Sequence, residues 1–175
     1  MPPFEIENLK SLKQLEGREF PATEWFVVTQ DRIQRFADAI EDRQWIHLDP
    51  DRARRESPFG GTVAHGFLTL SLLSYFLRQT LRIRSGIAMS VNYGLNKVRF
   101  PSAVRAGSQI RARVTLLSVT ESPEFVDATF LVHVENQGVQ NQEVQNHAVE
   151  NHGVDIKPRS KPCCVAECLA RYYPQ

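Results

Sequence analysis

Apolar residues recur at two different periods along this chain, and the change of period divides it. Ile33, Phe36, Ala37 and Ile40 fall at i, i+3, i+4 and i+7, which predicts an amphipathic helix from Asp31 to about Glu41. Thr29 is suited to cap it, and Asp31 sits in the first turn, where the helix dipole favours an acid. The short β-branched run Glu24 to Thr29 before it predicts a strand. Asp42 to Pro50 reads as a polar, aromatic-containing loop, Pro50 to Glu56 as a helical turn or two, and Ser57 to Gly61 as a breaker cluster. Gly66 to about Arg84 is the most apolar segment. Its Leu and Phe residues cover much of a helical circumference, which predicts one buried helix.

Beyond Gly86 the period shortens to two. Ala88 to Phe100 reads as a strand pair or one long bent strand, interrupted at Gly94. Ser108 to Thr120 alternates Ile110, Ala112, Val114 and Leu116 against polar or basic partners. Phe125 to His133 also alternates. Cys163 to Tyr173 reads as the closing strand, although its Ala, Glu and Leu content would also suit a helix. Helices followed by a run of strands give an α+β class, an antiparallel sheet packed on a central helix.

A five-residue unit, V-[EQ]-N-[QH]-x, repeats four times from Val134 to Gly153. A period of five builds a continuous apolar face neither on a helix nor on a strand. The stretch therefore reads as a low-complexity insertion in a loop between the last two strands of a single domain spanning 1–175. His147 and His152 within it have no cysteine or acid cluster beside them, so they read as loop residues and not as a metal tract.

Composition adds limits. The 175 residues carry 21 Lys and Arg against 20 Asp and Glu, a net charge of +1, with 42% hydrophobic residues. Without the three acids of the repeat, 21 basic residues face 17 acidic ones, and the domain proper is +4. Neither value suits a nucleic-acid binder that works by bulk charge. No apolar run reaches the roughly 18 residues of a membrane span. The N-terminus lacks a basic region followed by an apolar stretch, so no signal peptide and a cytoplasmic location are expected. Cys163, Cys164 and Cys168 are odd in number and fit neither a disulfide framework nor a zinc site, so they are expected as reduced thiols in a late core strand.

Two local patterns carry chemistry. In Asp42-Arg43-Gln44-Trp45-Ile46-His47 an acid and an imidazole five residues apart, in a loop, can converge on one water, which suits general acid–base work. The alternative is that Asp42 caps a turn and His47 bonds a backbone carbonyl. In Gly60-Gly61-Thr62-Val63-Ala64-His65-Gly66 a glycine opens the apolar helix. Backbone N–H groups there can meet a substrate oxygen, as an oxyanion hole does. The alternative is that Gly66 relieves crowding where the helix packs. His65 reads as a packing or loop hydrogen-bonding residue.

The order helix, D-x-x-x-x-H, then Ala64-His65-Gly66-Phe67-Leu68-Thr69-Leu70-Ser71-Leu72, resembles the MaoC-like hydratase family of hot-dog-fold proteins, in its nodulation-protein-N-type branch. Val91 to Pro101, with Val104 and Gly107, adds to the likeness, which covers roughly Phe20 to Phe130 and resumes at Pro162 to Tyr173. The resemblance implies a sheet wrapped round a long central helix and a homodimer or paired domains. It implies an (R)-specific enoyl-thioester hydratase or 3-hydroxyacyl-thioester dehydratase, with neither metal nor redox cofactor. The catalytic acid and imidazole fall on Asp42 and His47, the oxyanion amide on Gly66, and a site-shaping hydroxyl on Ser74. Trp45, Phe67 and Leu70 are candidates for the wall of an acyl tunnel, though such residues are core first. Arg52, Arg54, Arg55, Lys97 and Arg99 are candidates for the phosphates of coenzyme A or acyl carrier protein, though such residues are solvated surface first. In the broader motif G-D-x-N-P-x-H, Glu41 stands for glycine, Gln44 for asparagine and Trp45 for proline. Only Glu41 is foreign to the branch, and it sets a second carboxylate beside Asp42. A hot-dog thioesterase and a non-catalytic acyl-thioester scaffold are the competing functions.

Overall fold

A computed structural model describes residues 2–139 and 161–175. Most of the core sits between one antiparallel sheet and two short helices that run end to end. The sheet has five strands in the order β2-β5-β6-β7-β4: β2 is Phe26–Val27, β4 Met89–Arg99, β5 Gln109–Glu121, β6 Val126–Gly138 and β7 Cys164–Tyr173. The predicted alternation produces it. Ile110, Ala112, Val114 and Leu116 on β5, and Ala128, Phe130, Val132 and Val134 on β6, are fully buried on one face. The closing segment is a strand, since every second residue from Cys164 to Tyr172 is buried. All three cysteines lie in this core. Burial pushes their thiols to about 12, 11 and 12 for Cys163, Cys164 and Cys168, so none is a thiolate at neutral pH.

The predicted segment Ala88 to Phe100 is one long strand, bent by irregularities between Asn92 and Gly94 and between Leu95 and Val98. It forms the sheet edge, and its apolar side chains Met89, Val91, Tyr93 and Leu95 are all exposed.

The fold departs from the sequence expectation in two places. The segment from Gly66 is not one helix to Arg84. It runs as α4 (Gly66–Ser71) and α5 (Leu73–Thr80), joined at Leu72. The Ser71 hydroxyl donates to the Leu68 carbonyl at 2.8 Å, competing with the Leu72 N–H for that acceptor and loosening the turn. Leu81–Ile83 then forms strand β3, which pairs in parallel with β1 (Phe4–Ile6). The first unit of the five-residue repeat is also not loop: Val134–Gly138 completes β6, with Val134 fully buried and Glu135 accepting from Arg111 and Arg113 at 2.7 and 2.6 Å. Repeat residues 140–153 lie outside the described residues. Among the described residues no helix is long and apolar enough to cross a membrane.

Before the central helices lie α1 (Gln30–Ile40), α2 (Trp45–Leu48) and α3 (Pro50–Glu56). Thr29 caps α1 as its sequence suggests, accepting from the Arg32 N–H at 3.2 Å, and Asp49 caps α3. The expected loop 42–50 contains α2, a single turn that carries His47.

Candidate active site

Asp42 and His47 are brought together by a sharp turn after α1. Glu41 closes that helix with φ 58° and ψ 18°, the left-handed conformation that favours glycine. The backbone thus takes a glycine-like conformation although the residue is Glu. The Glu41 side chain is 78% exposed and meets Arg43 at 3.4 Å, so it faces away from Asp42. Glu41→Gly removes left-handed strain of about 1–2 kcal/mol and returns about 0.5–1 kcal/mol as unfolded-chain entropy. The expected net gain is up to about 1.5 kcal/mol, read as a rise in melting temperature of up to about 3–6 °C. A fall would show that the turn does not need a glycine-like backbone.

His47 is buried, and its Nδ1 lies 2.6 Å from the Val63 carbonyl oxygen. A carbonyl only accepts, so Nδ1 carries the proton and Nε2 presents a lone pair. Burial pushes the His47 pKa down from its ordinary 6.5; the neighbouring His65 adds to this, while the Val63 bond and Asp42 oppose it. Asp42 stays 41% exposed at the side chain, accessible to water. One ring nitrogen from each of His47 and His65 and a carboxylate oxygen of Asp42 lie within 4.8 Å of one another.

His65, expected as a packing or loop hydrogen-bonding residue, is both. It is 3% exposed, stacks on His47 with ring centroids 3.6 Å apart, and its Nε2 donates to the Asp42 backbone carbonyl at 2.9 Å. The three donors would also suit a metal ion, a possibility that sequence spacing hid. The His65 Nε2 proton is spent on a carbonyl, so His65 could enter such a site through its Nδ1 lone pair alone. Sequence reasoning missed Gln30 and Thr62. The Gln30 amide donates to the His47 carbonyl at 2.7 Å and accepts from the Thr62 hydroxyl at 2.5 Å, tying α1, α2 and the segment before α4 together.

The remaining site residues are placed unevenly. Gly66 is the first residue of α4, so its N–H has no partner within the helix. It lines a recess of about 440 Å³ with Ile46, Val63, Ala64 and Phe100. A Cβ at this position would stand 2.9 Å from the Phe100 ring, so packing also requires the glycine. Among the described residues no hydrogen bond or ring contact links Ser74 to the Asp–His pair. Ser74 accepts from the Asn92 side-chain amide at 2.9 Å and, with Leu70, lines a separate recess of about 210 Å³. Trp45 lies under the Arg52 guanidinium at 4.4 Å. Phe67 is 67% exposed against Phe100 and is not core. Of the phosphate candidates, Arg52, Arg54 and Lys97 are paired with Glu56, Asp51 and Glu167.

An antiparallel sheet packed on a central helix, with an Asp and a His converging ahead of that helix, defines a hot-dog protein. The MaoC-like domain matches residues 11–138, and the chain belongs to that family. The 3-hydroxyacyl-thioester dehydratase Z of Mycobacterium tuberculosis is 40% identical over 168 residues, covering 95% of this chain and 97% of that protein. Nodulation protein N of Rhizobium leguminosarum bv. viciae is 51% identical over 100 residues, 57% of this chain and 62% of the relative. Among solved structures, a monoamine oxidase regulatory protein from Archaeoglobus superposes with a TM-score of 0.69 at 19% identity, over 100% of this chain and 99% of the other. The unliganded (R)-hydratase PhaJ1 of Pseudomonas aeruginosa gives 0.64 at 19% identity, over 91% and 83%. At such identities the two structures establish the hot-dog fold.

Proposed function

We propose that this protein adds water to trans-2-enoyl thioesters, and removes it from (R)-3-hydroxyacyl thioesters, by Asp42–His47 acid–base catalysis. The observation that carries this is the buried His47, its Nδ1 proton held by Val63, with a ring nitrogen within 4.8 Å of an Asp42 carboxylate oxygen. The full-length likeness to a 3-hydroxyacyl-thioester dehydratase supports the same chemistry. In the hydration direction the pair holds a water and takes one of its protons as the oxygen bonds to the β-carbon. The Gly66 N–H meets the thioester oxygen while it bears enolate charge, and the proton is returned to the α-carbon. Ser74, Trp45, Phe67 and Leu70 then belong to substrate positioning beyond the reacting atoms. The thioester is carried on coenzyme A or acyl carrier protein, and its phosphates meet basic side chains in the cytoplasm.

Water labelled with ¹⁸O tests the reaction. Hydration of crotonyl-CoA places the label in the 3-hydroxyl of an intact (R)-thioester. Label in a free carboxylate would mark a thioesterase, and no product over a range of chain lengths and carriers would favour a scaffold. Burial lowers the His47 pKa from its ordinary 6.5. The acid limb of hydration kcat/KM is therefore expected to be centred below 6.5, where His47 gains a proton. An acid limb centred above 6.5 would contradict the assignment.

The same reading includes a homodimer. Edge strand β4 exposes Met89, Val91, Tyr93 and Leu95, and an apolar edge left open invites pairing with another chain. A second copy would cover this edge. Light scattering is expected to give a dimer for the unaltered chain and a monomer for Leu95→Arg; a monomeric unaltered chain would exclude it.

A further inference from the structure

His65 is an imidazole where a packing residue would do. It is buried at 3%, ringed by Phe36 and His47, and its Nδ1 has no hydrogen-bond partner among the described residues. A buried polar atom without a partner is costly, and native proteins keep few of them. Phenylalanine would fill the same space and keep a ring without that cost, so the reason for histidine over phenylalanine lies in its other nitrogen. That nitrogen, Nε2, donates to the Asp42 carbonyl at 2.9 Å and stands 3.8 Å from the Asp42 carboxylate. The ring stacks on His47 at 3.6 Å.

We infer that His65 is a positioning residue for both members of the pair: its Nε2–H fixes the turn that presents Asp42, and its ring fixes the plane of His47. The inference rests on the reading of Asp42 and His47 as the acid–base pair. The Asp42 turn needs such a tether. It follows a non-glycine residue in the left-handed region, and the Glu41 and Asp42 side chains are open to solvent. Asp42 and His65 are the two titratable side chains acting on His47; the Val63 carbonyl holds its Nδ1 proton. His65 therefore bears on the proton affinity of His47 in two ways: it excludes water from one face, and any charge on it opposes charge on its neighbour.

Two variants separate the donor from the ring. His65→Phe keeps a ring and loses the N–H, and His65→Gln keeps an amide N–H and loses the ring. Each is expected to lower kcat for crotonyl-CoA hydration about tenfold or more, as misplaced catalytic groups do, with KM within about twofold. In His65→Gln the His47 titration midpoint, followed by NMR, rises, and the acid limb of kcat/KM rises with it. A folded His65→Phe with unaltered kcat, or an unmoved His47 midpoint in His65→Gln, would overturn the inference. A measurement on the unaltered chain decides even if neither variant folds. Long-range ¹H–¹⁵N correlation is expected to place the proton on Nε2 of His65 and on Nδ1 of His47, and a proton on Nδ1 of His65 would overturn it. Failure of the unaltered protein to hydrate any enoyl thioester would count against the proposed function; the tautomers and the midpoint would still test His65.

Discussion

Asp42→Asn and His47→Gln are each expected to lower the rate of enoyl-thioester hydration by about 10²–10⁴-fold, the range for losing a positioned general acid or base. The two losses should not multiply in the double variant, because both groups act on one water and its proton. Asn keeps the size of Asp42 and its place in the turn while removing the charge. The fold is expected to survive, since the Asp42 side chain is 41% exposed and its backbone carbonyl, which His65 needs, is unchanged. Gln at 47 retains an amide that can reach Val63 but offers no lone pair of imidazole basicity. Steady-state kinetics beside circular dichroism gives the answer. Turnover within a few-fold of the unaltered enzyme in both folded variants would remove the pair from the chemistry.

The largest loss of stability is expected from Phe76→Ala. Phe76 is fully buried on α5, with its ring edge-on to Phe26 of β2 at 6.2 Å and close to Tyr75 at 5.5 Å. It anchors the central helix to the sheet. Truncating a buried Phe removes its transfer free energy and leaves a cavity, together about 3–5 kcal/mol. For a chain of this length that lowers the melting temperature by about 6–20 °C. Phe67→Ala is the matched comparison, nine residues earlier on the same helical course but 67% exposed, and it should cost far less. Calorimetry on the two variants measures the difference directly. Equal losses would mean that the two faces of the helix are assigned wrongly.

Phe67 marks where the sequence stopped being informative. A segment that is apolar on nearly every side does not say which side meets the sheet. Its end was also hidden, because Leu81 and Ile83 continue a helical pattern as well as they begin a strand. The partner that makes them a strand, Phe4–Ile6, lies some 77 residues earlier and is only three residues long. Three residues are too few to show a period of two. By contrast, α1 and strands β5 to β7 were legible, since Ile33 and Ala37 or Ile110 to Leu116 repeat one face several times. The same logic applies to the site. Asp42 and His47 stand five apart in one loop, so their meeting is local. His65, Gln30 and Thr62 reach the pair only through the packing of α1 against the segment before α4, and no short spacing announces them. A lone histidine before a glycine reads as packing until the fold shows that its ring lies on another imidazole.

The most direct test of the hydratase function is incubation of the unaltered chain with crotonyl-CoA while absorbance of the conjugated thioester and free thiol are followed together. Loss of the conjugated absorbance, no thiol release, and (R)-3-hydroxybutyryl-CoA as product are expected. Thiol release in step with the absorbance change, or an (S)-product, would contradict it.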